Sequence, residues 1–263
     1  MKRDLKSVIV TGGLGLLGWT FSKYLEKIGF HVIIIDIAEE PDSIKNFDNM
    51  TYIKFNLLEQ NRFSELKLII KNVTNNLKVL INNAAFNPKI EDDNKSFGRF
   101  EDLNINEWNR EISLNLTTPT FLIQNLLDLF NHKDNDNCKI INIVSTYGLV
   151  PPNQDIYKVL SKAAGKEIIK PIGYPVTKAG LVMVTKYLAT YLGDKGFNIN
   201  GIAPGGIENG QPIEFIEEYS KYTPMKRMAD KKDMLGVLEL LSTNKSEYIN
   251  GQIIAVDGGW TIW

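Results

Sequence analysis

Short runs of β-branched and other apolar residues alternate with longer amphipathic segments along the chain. Such runs predict strands, here at 7–10, 31–36, 51–55, 78–82, 139–145, 198–203 and 252–257. Helical patterns lie between them, near 16–28, 60–75, 106–131, 174–193 and 230–242. Strands that alternate with helices are joined by crossovers, so they pair in parallel and need helices on both faces of the sheet. The expected fold class is α/β, a doubly wound sheet of about seven parallel strands.

Length and charge narrow the function classes. The 263 residues suffice for one large core, and no repeat, Gly/Ser linker or shift in composition marks a boundary, so we expect a single domain over 1–263. The 30 basic and 31 acidic residues give a formal net charge of −1, which argues against nucleic acid or an anionic membrane as partner.

The compartment follows from cysteine usage and hydropathy. The single cysteine, Cys138, excludes an intramolecular disulfide and fits a reducing compartment. The first residues, MKRDLKSVIVTGG, contain too short an apolar run for a secretory signal, and no window approaches the roughly 18 to 20 apolar residues of a membrane span. We therefore expect a cytoplasmic protein.

A glycine-rich stretch, TGGLGLLG at 11–18, connects the first predicted strand to the first predicted helix. Gly12, Gly15 and Gly18 are spaced so that the chain can turn sharply, bring its backbone close to a pyrophosphate and pack the helix against the strand. This order of strand, glycines and helix predicts a dinucleotide site in a Rossmann-like fold.

The second predicted strand ends on an acid, Asp36, 18 residues beyond Gly18. A carboxylate there can accept hydrogen bonds from both ribose hydroxyls and would repel a 2′-phosphate. No Lys or Arg lies in 13–17 or 37–40 to hold such a phosphate. The predicted cofactor is NAD rather than NADP.

The stretch YPVTK, Tyr174 to Lys178, places a phenol and an ammonium one turn apart on one face of a predicted helix. Both groups can exchange protons when their pKa values move toward neutrality. Pro175 suits the first turn of a helix, where its missing N–H costs nothing.

These motifs together resemble the short-chain dehydrogenase/reductase family. The motifs that carry the resemblance follow the family's order: the glycine loop, NNAA at 82–85, Asn115 within SLNLTTPTFL, Ser145 at a strand end, YPVTK, NGIAPGG at 200–206 and the ending GQIIAVDGGW. The resemblance covers essentially the whole chain.

The resemblance implies a role for four catalytic residues. Tyr174 would exchange a proton with the reacting carbinol oxygen, and Lys178 would stabilise the phenolate and hold the nicotinamide ribose. Ser145 would orient the substrate oxygen, and Asn115 would bind a water that links the lysine to solvent. No metal site is predicted.

The resemblance also implies the cofactor contacts. Asn83, Ala84 and Ala85 would pass beneath the adenine ribose, and Asn56 stands where relatives usually have an Asp that bonds the adenine amino group. The full expected set is Gly12, Leu14, Gly15, Leu16, Leu17, Gly18, Asp36, Ile37, Asn56, Leu57, Asn83, Ala84, Ala85, Tyr174, Lys178, Pro204, Gly205 and Ile207.

Three departures from the family pattern are informative. Relatives usually place the tyrosine about a dozen residues after the serine, where this chain has Tyr157 followed four residues later by Ser161 instead of Lys. We therefore assign the acid/base to Tyr174, 29 residues after Ser145, and read 147–173 as an expanded loop over the substrate. The TGxxGxxG spacing is more usual in a longer branch of the family, and Asn209 replaces a usual Thr, which weakens a nicotinamide contact there.

The stretches PGGIENGQPIEFIEEYSKYTPMKRM and DGGWTIW resemble oxidoreductases of the bacterial flagellin modification protein A type. This implies a phosphorylated or nucleotide-linked sugar as substrate, for surface glycan or flagellin modification. Substrate loops are expected near 86–104, 147–173 and 206–228. Basic residues in the first two could meet a phosphate: Lys89, Arg99, Lys158, Lys162, Lys166 and Lys170.

Two alternatives stay open. One is a non-catalytic dinucleotide-binding regulator on the same fold, and the other is an epimerase or dehydratase that retains its NAD. The broad apolar faces near 106–131 and 174–193 correspond to helices that pair across two-fold axes in relatives, so a homodimer or homotetramer is expected.

Overall fold

A computed structural model describes residues 5–87, 99–132 and 136–262. Its seven strands are β1 (Ser7–Thr11), β2 (His31–Asp36), β3 (Met50–Lys54), β4 (Leu77–Asn82), β5 (Cys138–Ile143), β6 (Phe197–Pro204) and β7 (Ile253–Val256). They form one sheet in the order β3-β2-β1-β4-β5-β6-β7, and every pairing is parallel. The predicted doubly wound α/β fold is confirmed.

Alternate residues of the central strands face opposite sides of the sheet. Ile9 and Ile33 pack in one apolar core and Val8 and Val32 in another, all of them fully buried. A sheet covered on both faces explains why its strands are continuous apolar runs, not alternating ones.

The helices are α1 (Leu16–Lys27), α2 (Phe63–Val73), α3 (Ile105–Ile112), α4 (Thr118–Leu126), α5 (Lys158–Ala164), α6 (Gly173–Leu192), α7 (Ile213–Tyr222) and α8 (Leu235–Ser242). The single helix predicted near 106–131 is interrupted by a π-helical turn at Ser113–Thr117. Pro119 has no N–H to donate to the carbonyl four residues earlier, that of Asn115, so a regular α-helical bond cannot form there.

The prediction that 147–173 and 206–228 are loops was wrong in part. The first contains α5 and two 3₁₀ turns, and the second contains α7. These elements pack against one another in a third core cluster: Ile156, Tyr157, Leu160, Ile168, Phe215, Tyr219, Met228 and Trp260. The apolar side chains of these two helices are buried by elements that are distant along the chain, which no local sequence pattern shows.

The residues of the predicted site follow the carboxyl ends of the strands, at one edge of the sheet. β1 leads into the glycine loop, β2 ends at Asp36, and β5 is followed closely by Ser145. The strand order reverses between β1 and β4, and ligands of open α/β sheets bind at such a switch point.

Candidate active site

The glycine loop is packed too closely for side chains. Gly12 has φ of 60°, and a Cβ added to it would lie 2.9 Å from the Cα of Ala84. A Cβ on Gly18 would lie 2.0 Å from the carbonyl oxygen of Gly12. The N-cap of α1 is Gly15, which has no side chain to bond the first amides, and the first turn contains no acidic residue. This helix start can therefore receive an anionic pyrophosphate.

Asp36 reaches the glycine loop from the end of β2. Its carboxylate accepts hydrogen bonds from the backbone N–H groups of Leu14 at 3.0 Å, Ile37 at 2.8 Å and Ala38 at 3.1 Å. A carboxylate has about four lone-pair positions, so it can still accept from a ribose. Lys54 lies opposite Asp36 on β3, and its ammonium pairs with Glu39. Lys54 is 18 residues from Asp36 along the chain and becomes its neighbour only through the pairing of β2 with β3.

Asn83 connects the ends of β1 and β4. Its side chain donates to the carbonyls of Thr11 and Gly12, both at 3.0 Å, while the Thr11 hydroxyl accepts from the N–H groups of Asn83 at 3.0 Å and Ala84 at 3.1 Å. The two strand ends are thus held together. The expected cofactor residues Gly12 and Ala84 are brought into contact.

Asn56, after β3, uses its side chain in a local turn. Its carbonyl oxygen accepts from the N–H of Leu58 at 3.1 Å, and its amide donates to Glu59 at 3.2 Å. The oxygen keeps a second lone pair that can accept another hydrogen bond.

Ser145, Tyr174 and Lys178 lie together where β5 ends and α6 begins. The ammonium of Lys178 donates to the carbonyl of Ile143 at 2.7 Å and lies 5.6 Å from the centroid of the Tyr174 ring. Desolvation raises the pKa of Tyr174 to about 12, the Ser145 hydroxyl acts in the opposite direction, and the Glu111 carboxylate raises it further. Burial lowers the pKa of Lys178 to about 7. Each group's charged form is thus disfavoured by burial, and a charged phenolate–ammonium pair would stabilise both.

Asn115 is buried in the π-helical turn and is bonded to the segment that follows β4. It accepts from the N–H of Phe86 at 2.7 Å and donates to the carbonyl of Phe86 at 2.9 Å and to the hydroxyl of Thr177 at 3.2 Å. The Thr177 hydroxyl in turn donates to the carbonyl of Tyr174 at 2.8 Å. Asn115 therefore links α6 to the stretch that carries Ala84 and Ala85.

Tyr157 occupies a different environment from Tyr174. It is buried, its ring lies 5.6 Å from that of Phe215, and its hydroxyl is 3.1 Å from that of Tyr147. Burial raises the pKa of the Tyr157 phenol. The structure packs this ring between α5 and α7, whereas Tyr174 is partly exposed.

The segment after β6 approaches the same edge. Gly205 donates to the carbonyl of Val256 at 3.0 Å, and a Cβ on Gly205 would lie 2.9 Å from the Cα of Asp257. Gly206 donates to the phenol of Tyr219 at 2.6 Å. This places Pro204, Gly205 and Ile207 at the carboxyl end of β6.

The basic residues that were expected to bind a substrate phosphate differ in their exposure and in their ion pairs. Lys158 pairs with Asp155 and Arg99 pairs with Glu167, while Lys162 and Lys166 are exposed. Lys170 is buried beside Tyr174. Lys89 lies outside the described residues.

Sequence reasoning missed one polar residue near Tyr174, Glu111. It is buried and lines a cavity of about 540 Å³ together with Trp108, Lys170 and Gly173. Tyr174 and Ser145 do not line this cavity, so it adjoins the candidate site without containing it. The available signal was a charged residue one turn before Asn115 on the same face of an amphipathic pattern.

No helix in 5–87, 99–132 or 136–262 is long and apolar enough to cross a membrane. Within the same ranges, no three His, Cys, Asp or Glu side chains cluster in a way that could hold a metal ion.

Two protein families together match nearly the whole chain. The family described as short chain dehydrogenase matches residues 6–170. The family described as enoyl-(acyl carrier protein) reductase matches residues 170–261.

Two individual relatives are similar to part of the chain. Post-translational flagellin modification protein A of Campylobacter coli is 32% identical over 150 residues, 56% of each chain. The 2-dehydro-3-deoxy-D-gluconate 5-dehydrogenase of Escherichia coli is 31% identical over 160 residues, 59% of this chain and 56% of the relative. The chain thus matches little more than half the length of these two relatives.

A solved structure aligns over almost the full length. A short chain dehydrogenase from Leptospira borgpetersenii, crystallised with bound NAD⁺, is 30% identical and superposes with a TM-score of 0.83, covering 98% of this chain and 95% of that one.

Proposed function

Because this chain belongs to the short-chain dehydrogenase family of oxidoreductases, we propose that it interconverts a secondary alcohol and a ketone with NAD, acting on a sugar derivative. The observation that carries the proposal is the grouping of Ser145, Tyr174 and Lys178 at the edge of the sheet where the glycine loop also lies. The same grouping argues against a non-catalytic regulator, because a binding protein has no need of a paired phenol and ammonium.

Each residue then has a chemical task. In the oxidation direction, Tyr174 takes the proton of the substrate hydroxyl, and Ser145 holds the same oxygen by a hydrogen bond. Lys178 stabilises the phenolate and would hold the nicotinamide ribose. When bound, the nicotinamide supplies the redox chemistry by accepting the hydride of the carbinol carbon. In the reduction direction Tyr174 returns the proton to the substrate oxygen.

NAD is proposed because of Asp36. Backbone N–H groups on two sides of this carboxylate hold it beside the glycine loop. A 2′-phosphate there would meet a fixed negative charge. Lys54, the basic residue on the adjacent strand, is paired with Glu39 and so is partly neutralised.

The substrate class rests on relatives. One is named as a flagellin modification protein and another as a dehydrogenase of a gluconate derivative. We infer a phosphorylated or nucleotide-linked sugar, used for surface glycan or flagellin modification. A cytoplasmic location, expected from the sequence, stays a prediction, as does a single domain over 1–263.

An oligomer is proposed because exposed apolar side chains lie on α6 and on the neighbouring α3 and α4. They include Ile105, Phe121, Val176, Met183, Tyr187 and Tyr191. Tyr187 and Tyr191 stack with ring centroids 6.3 Å apart. A second copy of the chain would remove this surface from water.

The deciding experiment is a screen of phosphosugars and nucleotide sugars with NAD⁺, followed by NADH absorbance. Stoichiometric NADH formation with at least one sugar supports net oxidation. Product formation without accumulation of NADH would instead indicate the epimerase or dehydratase alternative. A chain that binds NADH yet converts no sugar, alcohol or ketone in either direction would contradict the proposal.

A further inference from the structure

A second buried lysine lies at the Tyr174 ring. Lys170 is 6% exposed, and its ammonium is 5.0 Å from the centroid of that ring, closer than the 5.6 Å of Lys178. The ammonium also donates a hydrogen bond to the side chain of Asn87. Lys170 belongs to the stretch between Ser145 and Tyr174 that makes this chain depart from the usual spacing. The stretch therefore brings an additional ammonium to the proposed acid/base.

Glu111 is the carboxylate that faces this lysine. It is 4% exposed, and its Oε2 has no hydrogen-bond partner within 5–87, 99–132 and 136–262. It packs against Gly173, where a Cβ would lie 2.3 Å from Oε2. Burial raises the pKa of Glu111 to about 7, and the Lys170 charge opposes that rise while Glu107 adds to it. The approach of Glu111 to the first turn of α6 depends on glycine at position 173.

The charges of Lys170 and Glu111 stabilise each other, and the Glu111 carboxylate disfavours an anion at Lys170. Burial lowers the pKa of Lys170 to about 8, and the Glu111 carboxylate works against that fall. A substrate phosphate at Lys170 would meet the buried charge of Glu111, which disfavours the phosphate-binding role considered for this lysine. The geometry favours a role toward the neighbouring phenol.

We propose that Lys170 is a positioning residue for Tyr174: its ammonium, held by Asn87 and balanced by Glu111, stabilises the deprotonated phenol in addition to Lys178. This inference rests on the proposed function of Tyr174 as acid/base. Other titratable groups also act on this phenol. Lys178 reaches it from α6, Glu111 from α3, and Tyr147 and Tyr157 from the stretch after β5.

The test measures Tyr174 directly and needs no substrate. Full-length protein labelled with ¹³C at the tyrosine Cζ is titrated by NMR, with and without NAD⁺, and the Tyr174 signal is assigned from its loss in Tyr174→Phe. Lys170→Met and Lys170→Gln should move its ionisation upward by roughly one to two pH units, the effect of one charge at this distance in a partly buried site. Because the pKa of Tyr174 starts at about 12, the shift is read as a roughly tenfold to hundredfold smaller phenolate fraction at one alkaline pH at which all variants are folded. Lys170→Arg, which keeps the charge, should stay near the parent. Lys166→Met, an exposed lysine of the same stretch, is the matched control.

The variants separate charge from packing. Lys170→Gln keeps a donor for Asn87, so it provides the measurement if Lys170→Met fails to fold because Asn87 has lost its hydrogen bond. An unmoved ionisation in the neutral variants, or an equal shift in Lys170→Arg, would overturn the proposal. A failed sugar screen would count against the proposed function and leave this titration unaffected.

Discussion

The side chain of Asn115 bonds both backbone groups of Phe86, accepting from its N–H at 2.7 Å and donating to its carbonyl at 2.9 Å. This pairing ties the π-helical turn to the stretch after β4, which includes the expected cofactor residues Ala84 and Ala85. The helix irregularity and the segment expected to face the cofactor are therefore one structural unit.

Replacing Asn115 with Ala should destabilise the fold as well as the site. Two part-buried backbone groups of Phe86 would lose their partners. A fully buried group left unsatisfied costs roughly 1 to 3 kcal/mol, so we expect a loss toward the lower end of that range for each. We expect a lower midpoint of thermal unfolding and weaker NADH binding, measured by calorimetry. Asn106→Ala, at an exposed position of α3, should change neither. Equal unfolding midpoints for Asn115→Ala and the parent would show that the pairing contributes nothing.

The five inner strands β1, β2, β4, β5 and β6 were predictable because each is a short, largely apolar run that is buried along almost its whole length. The glycine loop and Asp36 were predictable because contact between β1, β2 and α1 follows from a spacing local to one βαβ unit. The helix break at Asn115 was not predicted, because the apolar pattern runs on through it and indicates one helix. Its cause, the missing N–H of Pro119, is nevertheless visible in the sequence.

Other features depend on tertiary packing that no local pattern encodes. Glu111 and Lys170 meet at Tyr174 only because α3 packs against the first turn of α6. Tyr157 is a core residue because α7, more than fifty residues further along the chain, supplies Phe215 as its neighbour. Burial of such residues could be inferred only after the fold was known.

Asp36→Ala should narrow the preference for NADH over NADPH. Loss of the carboxylate removes both a ribose acceptor and a charge that repels a 2′-phosphate. NADH should bind less tightly, since the amides of Leu14 and Ile37 lose their acceptor, so the ratio of the two dissociation constants is the quantity to compare. Asp42→Ala, at an exposed acid, should leave the ratio unchanged. Equal or tighter NADPH binding by the parent protein would refute the NAD assignment.

Gly18→Ala should disrupt the cofactor loop. A Cβ 2.0 Å from the Gly12 carbonyl forces the backbone to move, because neither atom belongs to a flexible side chain. We expect NADH affinity to fall by about tenfold or more, together with a lower unfolding midpoint, since overpacking typically costs 1 to 3 kcal/mol. Gly236→Ala is the matched control, because a Cβ there meets nothing within 4 Å and the site is helical. Unaltered NADH binding in Gly18→Ala would show that the glycine loop does not contact the cofactor.

The apolar face of α6 should pair with a second copy. Tyr187→Asp places a charge on a side chain that is 64% exposed in one chain, so the isolated subunit should tolerate it. In an assembled protein the charge would be buried, and sedimentation should shift toward smaller species. Leu68→Asp, at a similarly exposed position on α2, should not change the sedimentation. A parent protein that sediments as a monomer at micromolar concentration would contradict the assembly.

The last prediction separates the two tyrosines. Tyr174→Phe keeps the ring but removes the exchangeable proton, so turnover should fall by roughly 10² to 10⁴-fold while NADH binding hardly changes. Lys178→Ala should reduce turnover and also weaken NADH binding, because the ammonium of Lys178 is expected to reach the nicotinamide ribose. Tyr157→Phe should have a modest effect, since it removes a hydroxyl that bonds Tyr147 within the cluster formed with α7. If instead Tyr157→Phe were inactive and Tyr174→Phe nearly normal, the acid/base would be the phenol at the customary distance from Ser145.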